Sequence, residues 1–477
     1  MPGLIIAAAI AALLAVLAIR AALFRPPEGE SRAVQPVEAD GEAAALHLLQ
    51  MIRKRTVWSR EEQEIETGEF LAFMEMLPML YPETHRVLQR ETVNTYALLY
   101  RWKGSGHGAP AVLMAHYDVV AADEAGWRHA PFAGEIEDGV IWGRGALDTK
   151  VTLAGILEAV ERLIKEGYTP ERDIYLSFTN NEESAGESTP AIVELFRSRG
   201  ITPSIVVDEG GAVVGGLFPG VKSPVAVVGV AEKGISDLMI SVESEGGHAA
   251  TPPRDMATVR LARAIVAIDR HPFRAHLPKP TIEMLETLGR HAPFAYRLVF
   301  ANLWLFRPLL LLAFTKAGGE MNAMTHTTVA VTMLEGSPGA NVLASRARAV
   351  TNIRIGIGGS VQGVTAHIAR AVRRTGAAVT DIYSTEPSPV SDTGCEAFAM
   401  LRRVIAETFP GAVISPYVML GGSDSRHFAG MSPFVYRFSP LELTKEERES
   451  MHNVNEAVPV AKLKKCVEFY IRLIRSL

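Results

Sequence analysis

The chain has 477 residues, 48% of them hydrophobic and 21% charged, which supplies large packed cores and excludes a disordered chain or a fibrous repeat. Lysine and arginine number 48 against 53 acidic residues, a formal charge of −5, so no basic excess points to a nucleic-acid partner. Two cysteines, Cys395 and Cys466, exclude a disulfide framework or a cysteine-rich zinc site and leave at most one isolated bridge.

In chain order, the first feature is an unbroken apolar run at 4–19, continued past Arg20 to Phe24. It predicts an N-terminal apolar helix over 1–25 that anchors the chain in a membrane, with Arg20 snorkelling to the interface. A cleaved signal peptide is the other reading, and the missing basic residues ahead of the run count against it. Arg20 and Arg25 follow the segment, which by the positive-inside rule leaves the body on the cytoplasmic side. The polar, proline- and glutamate-containing stretch 26–40 reads as a linker, and apolar residues at helical spacing over 43–55 predict a surface helix. Beyond it, buried-strand patterns at 111–115, 174–178 and 205–207 alternate with helical patterns at 152–166 and 191–199. That order predicts an α/β fold around a mostly parallel sheet, whose sites collect at the carboxyl ends of the strands.

Polar residues stand at those ends. His116-Tyr-Asp118 closes the first strand, where a period of two puts both side chains on one face. They read as a metal ligand with its orienting partner, or as a hydrogen-bonded pair. The run Gly143-Arg-Gly145-Ala-Leu-Asp148 delivers Asp148 just before a helix, as a ligand or as an N-cap. Glu182-Glu183 follows the second strand, a ligand beside a general base or a solvated acidic loop, and Asp208-Glu-Gly-Gly211 ends the third. His452 lies in His452-Asn-Val-Asn-Glu456, before a final amphipathic helix. Two histidines and three carboxylates without thiolate suit two Zn²⁺ ions, with Co²⁺ or Mn²⁺ as substitutes. Such a pair clamps a water, and Glu182 takes its proton.

In this order the motifs resemble the aminoacylase/carboxypeptidase S family of dizinc metallohydrolases, from about residue 43 to the C-terminus. The stretch Trp127 to Asp148, with Pro131-Phe132 and Trp142-Gly-Arg-Gly, is similar to the carboxypeptidase S branch. The resemblance implies His116 and Asp208 on one zinc, Glu183 and His452 on the other, Asp148 bridging, Asp118 orienting His116, and Glu182 as base. It also implies a zinc-exopeptidase-type catalytic domain over 41–231 and 388–477, interrupted by a smaller α/β lid and dimerisation domain over 232–387. On that lid, His248 in Gly246-Gly-His248-Ala-Ala would steady the oxyanion, although Ala249 and Ala250 replace the usual small hydroxyl residues. Asn341 would contact substrate and Arg354 would hold its carboxylate, while the loop Gly421-Gly422-Ser423 would bind a terminal carboxylate through backbone amides and Ser423.

A second very apolar stretch, 298–314, is interrupted by Arg307-Pro308 and therefore does not read as a second span. It reads as lid core or a subunit contact, or as a greasy wall for a long acyl chain or a surface dipping into the bilayer. The function expected is zinc-dependent hydrolysis of an amide next to a free carboxylate, by a carboxypeptidase or N-acyl amino acid hydrolase, with hydrophobic or long-acyl substrates as one option and the acyl preference left open. A short-acyl aminoacylase or dipeptidase, and an inert membrane-tethered binding protein, are the alternatives.

Overall fold

Strands Ala111–His116, Ile174–Thr179 and Ile205–Asp208 are buried along their whole length. They run parallel and adjacent in the order second, first, third, with Val435–Arg437 parallel to the third. Their near-continuous apolar sequence has a structural cause, since helices cover both faces of the sheet. Gly41–Ile52, Lys150–Lys165 and Val460–Ser476 build one layer, and Ser188–Ser198 packs on the other face through Ile192, Val193 and Phe196. In this computed structural model, residues 1–26, 36–59, 65–216, 218 and 220–477 are described, and most of the expected linker at 26–40 lies outside them. The ten-stranded sheet is parallel in its middle and mixed at its margins. An antiparallel pair, Gln89–Val93 and Ala97–Trp102, forms one edge. On the other side Val225–Glu232 runs antiparallel to Val435–Arg437 and parallel to Val413–Met419.

A second, four-stranded antiparallel sheet is ordered Thr328–Glu335, Arg346–Ile355, Gly234–Glu243, Ala378–Thr385. Its central strands alternate buried and half-exposed residues, and helices Ala257–Asp269 and Val361–Val372 cover one face only. The chain leaves the large sheet at Glu232 and returns at Ser388. The two crossings touch, with Ser388 N donating to Glu232 O at 3.0 Å and Glu232 N donating to Ser388 Oγ at 2.9 Å. Part of the stretch expected as lid packs elsewhere. Helices Lys279–His291, Phe294–Phe300 and Leu303–Ala317 share a core with Phe218, Val225, Val227 and Val413 on the catalytic sheet. Lys279–His291 is amphipathic, and its apolar side, Met284, Leu285 and Leu288, finds strand Val413–Met419.

The N-terminal run forms helix Pro2–Leu23, whose 22 residues make it, among the described residues, the one unbroken helix long and apolar enough to cross a membrane. It buries only Leu17 and Ala21. Arg20 is exposed and turns its guanidinium toward the body, where its Nε and Nη2 donate to Ala301 O at 3.1 and 2.8 Å.

Candidate metal centre

Asp148 stands between two histidines. Its Oδ1 lies 3.1 Å from His116 Nε2 and its Oδ2 2.9 Å from His452 Nε2, so each oxygen serves one ring. The first imidazole is fixed by its strand end, where His116 Nδ1 lies 3.0 Å from the Asp118 carbonyl oxygen. The second comes from the other end of the chain, on a residue in the left-handed region at φ 60°. His452 Nε2 also lies 3.1 Å from Glu183 Oε2. Bonds to Asp148 and then Glu183 push the His452 pKa up to about 10. For Asp148, burial works upward, but the two imidazoles hold it far below the usual carboxylate range.

Glu182 and Glu183 follow the central strand Ile174–Thr179 in a single 3₁₀ turn. The Asp118 carboxylate pins that turn, accepting from Glu182 N at 3.2 Å and Glu183 N at 3.1 Å. Asp118 therefore positions both neighbours: its carbonyl holds the His116 ring and its carboxylate holds the paired glutamates. Burial, reinforced by Glu209 and Asp424, keeps the Glu182 pKa well above the carboxylate range.

At the third strand end the two adjacent acids part company. Of the two, Glu209 reaches His116, with Oε1 3.3 Å from Nε2, whereas the Asp208 carboxylate accepts from Ser425 N at 2.9 Å. Asp208 ends an extended strand, and one step along such a backbone turns the side chain to the opposite side. Burial, with Asp424 nearby, pushes the Asp208 pKa up to about 6. Burial likewise pushes Glu209 up to about 8.

This arrangement fits divalent cations. Two groups bring ligand atoms within 4.8 Å of one another: His116, Asp148 and Glu183, and His116, Glu182 and Glu209. With Nδ1 donating to a carbonyl, a neutral His116 turns its Nε2 lone pair toward two carboxylates. Acceptors face acceptors there, and only a proton or a cation among them relieves the repulsion. Glu183 Oε1 is also buried without a hydrogen-bond partner.

Two buried carboxylates hold the frame. Glu456 accepts from Leu147 N at 2.7 Å, Asp148 N at 3.1 Å and Arg144 Nη1 at 2.5 Å, tying the Asp148 loop to the segment that carries His452. Glu232, at the crossing into the lid, pairs with Arg437 and accepts from Ser423 N at 2.8 Å and Ser423 Oγ at 2.9 Å. Arg437 is fully buried. Glu232→Ala strands that guanidinium, and the expected loss is about 3–5 kcal/mol of stability, read from a chemical-denaturation midpoint.

The expected substrate residues fall in two places, the loop around Ser423 and the four-stranded sheet with its neighbouring turn. Ser423 is buried and spends its amide and hydroxyl on Glu232, with its oxygen also 2.7 Å from Ser425 Oγ, so it does not offer a free hydroxyl. Gly422 is half-buried beside it. Arg426 Nη1 donates to Ser423 O at 3.1 Å while its Nε and Nη2 are buried without partners, and Asp424 Oδ2 accepts from Thr179 Oγ1 at 2.6 Å. On the lid, Gly247–His248 pairs with Val342–Leu343 and Ala249 N donates to Asn341 O at 3.0 Å, which places His248 and Asn341 together, both exposed. Ala250 N donates to His248 Nδ1 at 3.0 Å, which leaves Nε2 as the protonated, outward donor. Neither residue has a hydrogen bond to the metal-ligand groups among the described residues. Arg354 is half-buried on strand Arg346–Ile355, its Nε donating to Asn352 Oδ1 at 3.2 Å. Burial, with Arg354 close by, lowers Lys233 to a pKa of about 8.

Sequence spacing missed three members of this site. Glu209 is masked by its acidic neighbour, and Glu456 and Glu232 find partners as far as 312 and 205 residues away in the chain, which local patterns do not carry.

The model of Peptidase family M20/M25/M40 matches residues 112–476. A carboxypeptidase S-like 2 protein of Dictyostelium discoideum is 33% identical over 445 residues, covering 90% of this chain and 85% of that one. The N-fatty-acyl-amino acid synthase/hydrolase PM20D1 of Xenopus tropicalis is 33% identical over 475 residues, covering 97% and 92%. In fold, the chain is similar to human carnosine dipeptidase 1, with a TM-score of 0.68 at 14% identity, over 91% of this chain and 96% of that one.

Proposed function

The chain belongs to the M20/M25/M40 peptidase family of metallohydrolases, and on that premise we propose that it cleaves the amide bond of N-acyl amino acids, or of short peptides, beside a free carboxylate, with hydrophobic acyl groups preferred. The observation that carries this reading is Asp148 shared between His116 and His452 with Glu182 and Glu183 alongside.

Two Zn²⁺ ions, replaceable by Co²⁺ or Mn²⁺, would be held by His116, Glu209 and Asp148 on one side and by His452, Glu183 and Asp148 on the other. Bound there, they would polarise a water and the scissile carbonyl. Glu182 is then left free of ligand duty and takes the water's proton, later returning it to the leaving nitrogen. His248 donates from Nε2 to the carbonyl oxygen as negative charge develops. His248 makes no hydrogen bond to the ligand groups among the described residues, and lid closure or a second copy in a homodimer would bring it to the carbonyl. Arg354 holds the substrate carboxylate with its guanidinium fork, and the contact assigned to the glycine loop falls to backbone amides near Gly422. Helix Pro2–Leu23 attaches the enzyme to the membrane.

The test is a panel of N-acyl amino acids, from acetyl to oleoyl, assayed on the whole chain with and without a chelator. Hydrolysis should fall to background on chelation and return with zinc, and the long-acyl members should be the better substrates. Turnover that persists after the metal has been removed and assayed as absent overturns the proposal. Absence of both metal and turnover across the panel favours a binding protein instead.

A further inference from the structure

Helices Phe294–Phe300 and Leu303–Ala317 meet at a bend of 103°, and the second exposes an apolar face: Trp304 is 60% exposed, Leu309 59% and Leu312 52%. A contiguous patch of this kind on a hydrolase calls for a partner. The bend is also where the N-terminal helix docks. Arg20 donates to Ala301 O, Asn302 Nδ2 donates to Leu17 O at 3.2 Å, and the Arg290 guanidinium lies 4.6 Å from the Phe24 ring centroid. Only the last third of the N-terminal helix is held in this way, since its buried residues are Leu17 and Ala21. The part before Leu17 stands free of the body, so a bilayer that takes it up reaches the protein at this joint.

We propose that the bent helix pair is a second membrane contact, lying in the headgroup-to-acyl boundary of the leaflet through which the N-terminal helix enters, with Trp304, Leu305, Leu309 and Leu312 in lipid. Three observations choose lipid over another protein. Leu303–Ala317 has 15 residues, about 22 Å of helix, and carries Arg307 and Pro308, so it is too short and too polar to span but suited to lie along a surface. From Thr287 to Gly319 there is no acidic residue, while Arg290, Arg297, Arg307 and Lys316 are basic, a pattern complementary to anionic headgroups. A second copy docked on the same face would set these like charges against each other. Trp304 and Tyr296, 40% exposed, are the residue types that settle at such interfaces. The proposal rests on the N-terminal helix being an anchor but not on the hydrolase reading. It gives the enzyme a place in the leaflet where an amphiphilic acyl amino acid would be found.

The test uses the whole chain on phosphatidylcholine vesicles containing phosphatidylglycerol, made with and without bromine on the acyl chains. The emission lost in Trp304→Phe is the Trp304 component. It should be quenched at least twofold by brominated lipid, and a Leu305→Ser, Leu309→Ser, Leu312→Ser variant should still float with the vesicles yet lose that quenching. A chemical-denaturation midpoint in solution, unchanged in the triple variant, shows that it is folded. A chain that floats while Trp304 stays unquenched overturns the proposal, as does efficient dimer cross-linking through Leu309→Cys with no quenching. A chain that does not float at all overturns it together with the anchor, and leaves the hydrolase reading standing.

Discussion

Glu182→Gln is expected to lower kcat by about 10²–10⁴-fold while metal content stays at the wild-type level. The substitution keeps the shape of the side chain and its backbone anchorage, since Glu182 is held through its amide by Asp118 rather than through its carboxyl group. What it removes is the capacity to accept a proton. Burial and the neighbouring Glu209, Asp424 and Glu183 raise the Glu182 pKa, and cations bound among the same residues would draw it back down. These opposed fields are how a carboxylate comes to serve as a base near neutral pH. The measurement is steady-state turnover of an N-acyl amino acid alongside metal analysis of the same preparation. Full activity would remove Glu182 from the role. Loss of metal together with activity would make it a ligand, a place its proximity to His116 and Glu209 also allows.

The fold was legible in sequence because its central strands are covered on both faces and so read as largely apolar runs at 111–115, 174–178 and 205–207, each followed by a polar residue that completes the strand. The site was legible for the same reason, since a histidine or acid at the carboxyl end of such a strand has nowhere to point but the crevice. Where two acids are adjacent, this logic loses its resolution. In Glu182-Glu183 the backbone leaves the strand for a 3₁₀ turn, and in Asp208-Glu209 the choice depends on which side of the strand end faces His116. Helices 279–317 lie inside the sequence limits expected for the lid. Their apolar faces pack on the large sheet at Val225, Val227 and Val413, and packing of this kind has no local signature. The frame around Glu456 and Glu232 was invisible for a related reason, because a buried carboxylate and its guanidinium partner are joined only by the fold.

The adjacent acids at the third strand end give the sharper test of the geometry. Glu209→Ala is expected to lose one of the two metal ions and to lower kcat/KM well beyond the roughly 10–100-fold that follows loss of a supporting partner. Of the two adjacent acids its carboxylate is the one near His116 Nε2, at 3.3 Å, so Asp208 does not replace it. Asp208→Asn should behave as the milder lesion. The Asp208 carboxylate is turned to Ser425 N, and an asparagine oxygen can still accept that bond, so metal content should hold and activity should fall by about 10–100-fold at most. Metal analysis of the two variants side by side decides between the acids. If Asp208→Asn sheds metal and Glu209→Ala keeps it, the strand end must turn by one residue when the ions bind, and Asp208 returns as the ligand with Glu209 as its support.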